Sequence, residues 1–137
     1  MLKREISEKL KLWRTQKNKK ALCIIGARQI GKTESILHFA GNVYANVVYI
    51  NFVLDKRFRA IVSDGYDVDT VIKNISLVDP NLKFVPGETV IIFDEIQEYP
   101  DVATCLKSFN IDRRFDIICS GSMLGINYKK IHSNSVG

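Results

Sequence analysis

Gly26-Ala27-Arg28-Gln29-Ile30-Gly31-Lys32-Thr33 fills every fixed position of the pattern G-x-x-x-x-G-K-[ST]. Gly26 and Gly31 let the backbone bend so that successive N–H groups turn inward toward a polyphosphate. A helix starting here would offer its N-terminus, with roughly +0.5 of a charge, to the same anion. Lys32 would reach the β- and γ-phosphate oxygens, and the Thr33 hydroxyl would ligate Mg²⁺. A glycine turn beside a surface lysine would spell the same letters. Context argues against it: the apolar run Ala21-Leu22-Cys23-Ile24-Ile25 precedes the loop, and a helical pattern from Lys32 to about Ala40 follows it.

The second informative stretch is Val90-Ile91-Ile92-Phe93-Asp94-Glu95, four apolar residues and then two acids. Such a strand belongs deep in a parallel sheet, and its acids emerge at the carboxyl edge, where α/β sheets bind ligands. The first strand delivers its glycine loop to that same edge. Asp94 is then expected to hold Mg²⁺, directly or through water, and Glu95 to polarise an attacking water as general base. Two exposed acids at a strand end are the alternative. Ser120-Gly121-Ser122 forms a third element, in which a hydroxyl would sense the γ-phosphate or the three residues would be a simple turn. Gln97 is read either as a second contact to the water or as structural.

Working outward, Ile6, Leu10 and Trp13 recur at i, i+4 and i+7, which predicts an amphipathic helix from Leu2 to about Gln16. Further strands are expected at 47–52 and 115–119, and helices at 56–63, 67–77 and from Pro100 to about Phe109. Gly41-Asn42 should stop the helix after the glycine loop, and Asp67 should cap the one that follows it. Strands alternating with helices give a parallel α/β sheet with crossover connections. The expected segments are 1–20, a basic helix and linker; 21–124, the phosphate-loop core; and 125–137, an irregular tail.

The chain has 137 residues, one domain's worth, with 46% apolar and 26% charged residues, which excludes a disordered class. No run approaches the 18 or so apolar residues that span a bilayer, and the N-terminus has no apolar signal segment, so a cytoplasmic protein without membrane contact is expected. Cys23, Cys105 and Cys119 are odd in number and lack metal-ligand spacing, which reads as buried reduced thiols. Charge is uneven. Residues 1–20 hold eight Lys or Arg against Glu5 and Glu8, while the other 117 hold twelve against thirteen acids. The basic head would suit nucleic acid or simply a solvated helix face.

The segments GARQIGKT (26–33), PGETVIIFDEIQEYPD (86–101), LKSF (106–109) and IICSGSMLG (117–125) together resemble the prokaryotic AAA-type ATPases whose phosphate loop reads G-A-R-Q-[VI]-G-K-T. Those proteins usually carry a C-terminal domain of unknown function. The resemblance implies a P-loop NTPase three-layer α/β sandwich whose full strand order is 5-1-4-3-2. Of that sheet this chain would hold the 1-4-3-2 part, without the fifth strand, behind a leading N-terminal helix. It implies ATP and Mg²⁺ as cofactors and a Walker A element formed by Gly26, Ala27, Arg28, Gln29, Ile30, Gly31, Lys32 and Thr33, with Glu34 beside it. Walker B falls on Asp94 and Glu95, and sensor 1 on Ser122, with Ser120 as the fallback.

Family members run on for a few hundred residues, so the resemblance also implies a missing lid and C-terminal domain, and association into a ring or dimer. Arg113 and Arg114 are the candidates for an arginine finger, with surface charges as the alternative. An ATPase is thus expected, and a nucleotide-gated module that binds without turnover is the alternative. A small-molecule kinase lacks an acceptor pocket in this reading. A GTPase lacks an Asn-Lys-x-Asp element after the third strand.

Overall fold

The computed structural model describes residues 2–26 and 31–122. Among these residues four strands, β1 (Leu22–Gly26), β2 (Asn46–Asn51), β3 (Thr89–Asp94) and β4 (Asp116–Ser122), form one parallel sheet of order β1-β4-β3-β2. Four α-helices accompany them: α1 (Leu2–Thr15), α2 (Lys32–Val43), α3 (Val68–Val78) and α4 (Leu106–Asp112). The α/β class and the partial strand order are those expected.

The period-two alternation of the strands divides their side chains between two cores. Leu22, Ile24, Val47, Tyr49, Val90, Ile92 and Ile118 face α1 and α2, packing with Ile6, Leu10, Trp13, Ile36 and Phe39. Cys23, Ile25, Val48, Ile50, Ile91, Phe93, Ile117 and Cys119 face the other way, against Val68, Val71 and Ile75 of α3 and Leu106 and Phe109 of α4. This is the three-layer sandwich. The stripe Ile6-Leu10-Trp13 is what docks α1, each such side chain contributing about 1.5–3 kcal/mol by leaving water. The Trp13 indole also donates to the Lys20 carbonyl at 2.7 Å, tying the linker back to the helix.

Strand β3 is buried along its whole length, as a central parallel strand with a continuous apolar run should be. Strand β1 is only half-buried throughout, and it stands at one edge of the sheet among the described residues. Two of the three cysteines, Cys105 and Cys119, are buried thiols, and Cys23 is half-buried on β1. Burial pushes the Cys105 thiol up to about 12, so it stays protonated.

Several boundaries differ from expectation. Helix α2 runs through Gly41-Asn42 to Val43, because Asn42 Nδ2 donates to the His38 carbonyl at 2.8 Å and the Tyr44 N–H closes the last turn on Ala40. Residues 56–63 form tight i→i+3 turns instead of an α-helix. There Asp55 takes the Arg57 N–H, and Phe58, Arg59 and Ile61 bond three residues back. The segment opened by Pro100 is a 3-10 helix over Pro100–Cys105 and turns α-helical only from Leu106. Asp67 does cap α3, accepting from the Thr70 N–H.

The largest difference concerns Ser120-Gly121-Ser122, which is strand and not a turn: Ser120 pairs with Ile24, Gly121 with Ile25 and Ser122 with Gly26. Small residues are needed there for packing. A Cβ on Gly121 would lie 2.6 Å from Gln97 Oε1 and 3.2 Å from the Ile96 backbone N.

Candidate functional site

All four strands end at one edge, and the registers Gly26↔Ser122 and Asn51↔Asp94 align their tips. Gly31 stands at that edge as N-cap of α2 with φ 88°, a left-handed conformation open to glycine and strained for other residues. The first turn of α2 thereby lands on the sheet face that carries Tyr49, Asn51 and Asp94. Thr33 Oγ1 donates to Asp94 Oδ2 at 2.9 Å, and Lys32 Nζ donates to the Gly121 carbonyl at 2.9 Å. The two ends of the sequence pattern, 61 residues apart, therefore touch.

Asp94 is 3% exposed. Its Oδ2 also accepts from the Tyr49 hydroxyl at 2.6 Å, and its Oδ1 accepts from the Glu95 N–H at 2.8 Å. Among the described residues every donor to this carboxylate is neutral, and no lysine or arginine pairs with it. A buried charge ordinarily needs such a partner, because desolvation costs several kcal/mol. Burial and then the Asp94 hydrogen bond push the Tyr49 hydroxyl far up, so it remains a donor at any working pH.

Glu95 adopts φ 56° and ψ 46°, a left-handed conformation that costs a non-glycine residue about 1–2 kcal/mol. The backbone turns there, and Glu95 Oε1 accepts from Gln97 Nε2 at 2.9 Å. Gln97 Oε1 in turn accepts from the Ser122 N–H at 3.1 Å. A continuous link thus joins the tips of β3 and β4 through one amide side chain.

The sequence-derived candidates divide as follows. Gly26, Gly31, Lys32, Thr33, Asp94, Glu95, Gln97 and Ser122 meet at the carboxyl edge of the sheet. Glu34 is exposed on the first turn of α2 and lines a groove with Arg4 and Ser7 of α1. Ser120 is fully buried in β4, its hydroxyl without a partner among the described residues. Ala27, Arg28, Gln29 and Ile30, and the tail 125–137, lie outside the described residues.

Arg114 is bound to Asp112 at 2.8 Å and Asp69 at 2.7 Å, and Arg113 donates to Asn18 Oδ1 at 3.1 Å. Both arginines belong to the opposite, amino edge of the sheet. No helix among the described residues is long and apolar enough to cross a membrane. No group of three or more His, Cys, Asp or Glu that could hold a metal ion occurs among them either.

Sequence reasoning missed Tyr49, which it read as one more strand residue in VVYINF, and it missed Asn51, whose Nδ2 donates to the Tyr49 oxygen at 3.0 Å. The available signal was two polar-tipped side chains at i and i+2 of an otherwise apolar strand, hence on one face.

A parallel α/β sheet of this order, with a glycine loop and an acidic strand tip at one edge, is the architecture of a P-loop nucleotide-binding domain of ATPase type. Residues 18–137 match the family model described as AAA domain, and the chain belongs to that family. No curated protein matches it. Among solved structures it is similar to C. elegans PCH-2, at 14% identity over 97% of this chain and 37% of that one, with a TM-score of 0.49. It is also similar to the Aeropyrum pernix ORC1 protein in complex with DNA, at 16% identity over 96% of this chain and 42% of that one, with a TM-score of 0.53. The likeness to the second concerns the fold. The chain spans less than half the length of either.

Proposed function

We propose that this domain binds ATP together with Mg²⁺ and hydrolyses it. The observation that carries the reading is the buried Asp94 carboxylate, served only by neutral donors among the described residues and touching Thr33 of the glycine loop. Such a carboxylate suits a site completed by a cation from outside the chain. Bound Mg²⁺ would neutralise charge on the β- and γ-phosphates.

The remaining roles belong to the chain itself. Gly26 to Thr33, with Glu34 beside them, cradle the phosphates through backbone N–H groups and the start of α2. Lys32 leaves the Gly121 carbonyl for the β- and γ-phosphate oxygens. Thr33 and Asp94 serve the metal. Glu95 accepts the proton of the attacking water, and Ser122 senses the γ-phosphate, with Ser120 behind it. We assign the core to residues 21–124 and read 1–20 as an amphipathic basic helix and linker. Self-association, a further C-terminal domain and contact of the basic segment with nucleic acid belong to the same proposal.

One observation favours a second reading, a module that binds ATP without turning it over: Glu95 is held by Gln97, itself anchored on β4. A nucleotide-binding isotherm, with and without Mg²⁺, measured beside phosphate release separates the two. Tight Mg²⁺-dependent binding with steady release is expected. Binding without release supports the module, and no binding overturns both.

A further inference from the structure

We propose that Tyr49, clamped by Asn51, is a positioning residue that occupies Oδ2 of Asp94 and so makes metal binding at this carboxylate conditional on nucleotide. The proposal rests on the reading of Asp94 as the carboxylate that serves the metal.

A carboxylate offers about four lone-pair sites, two on each oxygen. On Asp94, Oδ2 accepts from Thr33 Oγ1 at 2.9 Å and from the Tyr49 hydroxyl at 2.6 Å, while Oδ1 accepts from the Glu95 N–H at 2.8 Å. The chain's own donors therefore take most of the capacity. The direction of the Tyr49 proton follows from its other neighbour. Asn51 Oδ1 accepts from the Val53 N–H at 2.9 Å and the Leu54 N–H at 3.0 Å, which orients its amide. Asn51 Nδ2 must then be the donor to the Tyr49 oxygen, and the phenol proton is left for Asp94.

Water is a poor substitute for these donors, because Asp94 is almost wholly buried. With no group of three or more His, Cys, Asp or Glu side chains that could hold a metal among the described residues, an ion alone would have to displace Tyr49 and gain few protein ligands in return. Phosphate oxygens supply the missing ligands, so the ion enters with nucleotide.

Mn²⁺ titration of the whole chain, followed by loss of the free-ion electron paramagnetic resonance signal with and without ATP, tests this. The wild-type chain should bind Mn²⁺ weakly alone and much more tightly with ATP. Tyr49→Phe removes a hydrogen bond to a charged group and frees one site on Oδ2, so Mn²⁺ alone should bind about tenfold tighter. With ATP present, where phosphate oxygens supply ligands to the ion, the gain should be smaller, so the enhancement conferred by ATP should shrink. Asn51→Ala keeps the hydroxyl but releases it, and a smaller tightening in the same direction is expected. Loss of packing alone would not strengthen metal binding.

Thermal melts check that both variants fold, and if Tyr49→Phe does not, the Asn51→Ala titration decides. Folded variants that bind Mn²⁺ no tighter than wild type overturn the proposal and leave the reading of Asp94 intact. A wild-type chain that fails to bind Mn²⁺ even with ATP overturns both.

Discussion

A tyrosine meets an aspartate at each end of this sheet. At the amino edge Tyr44 donates to Asp116 Oδ2 at 2.5 Å, and at the carboxyl edge Tyr49 donates to Asp94 Oδ2 at 2.6 Å. Their surroundings differ. Asp116 has Lys19 Nζ at 3.4 Å, and the Arg14 guanidinium lies 5.1 Å from the Tyr44 ring centre, so the charge is balanced inside the chain. That pair ties the end of α2 to β4, with Lys19 of the linker and Arg14 of α1 beside it. Asp94 is paired with no such cation among the described residues and is more deeply buried, while Lys32 at the same edge is held by the Gly121 carbonyl. One hydrogen-bond motif therefore stands in two settings: at one end it closes a structural contact, and at the other, on the reading proposed above, it leaves a charge for a ligand to balance.

The amino edge also gathers basic side chains around Asp116. Lys17, Lys19, Lys20 and Arg113 line a cavity of about 190 Å³ there, walled by Trp13, Phe109 and Phe115. The fold thus gathers lysines at one edge and, on the reading proposed above, a cation site at the other.

The sharpest way to break this contrast is Glu95→Gln. Removing a general base should lower phosphate release by about 10²–10⁴-fold while nucleotide binding survives, as a binding isotherm beside a release assay would record. Equal turnover would take Glu95 out of the site. Next is Lys32→Ala, which removes a charge-assisted contact to phosphate and should weaken ATP binding by about 10- to 100-fold in the same isotherm. Unchanged affinity would mean that the carboxyl edge is no more a nucleotide site than the amino edge. The smallest effect is expected for Tyr44→Phe. It should cost about 1–2 kcal/mol of stability in denaturant unfolding and leave Mn²⁺ and ATP binding as they were. A Tyr44 variant that altered metal binding would erase the distinction between the two pairs.

Much of this was legible in the chain. The strand order followed from the resemblance, and the two faces followed from alternation, because a side chain's face in a strand depends only on its own position. That Lys32, Thr33, Asp94 and Glu95 would come to one edge was legible because each stands at the end of a locally recognisable element. The tight turns at 56–63 were not, since Asp55 and the hydroxyl of Tyr99, which takes the Val62 N–H at 3.1 Å, decide them from outside the apolar pattern.

By itself the sequence determined the glycine motif at 26–33, the apolar strand ending in acids and the docking stripe of α1, all of which rest on spacing within one element. Only the tertiary structure decided that Ser120-Gly121-Ser122 extends a strand, that Gln97 spans two strand tips and that Tyr49 and Asn51 hold Asp94. The reason is physical. These contacts join residues 25 and 45 apart, and what brings them together is the register of neighbouring strands, which no local pattern encodes.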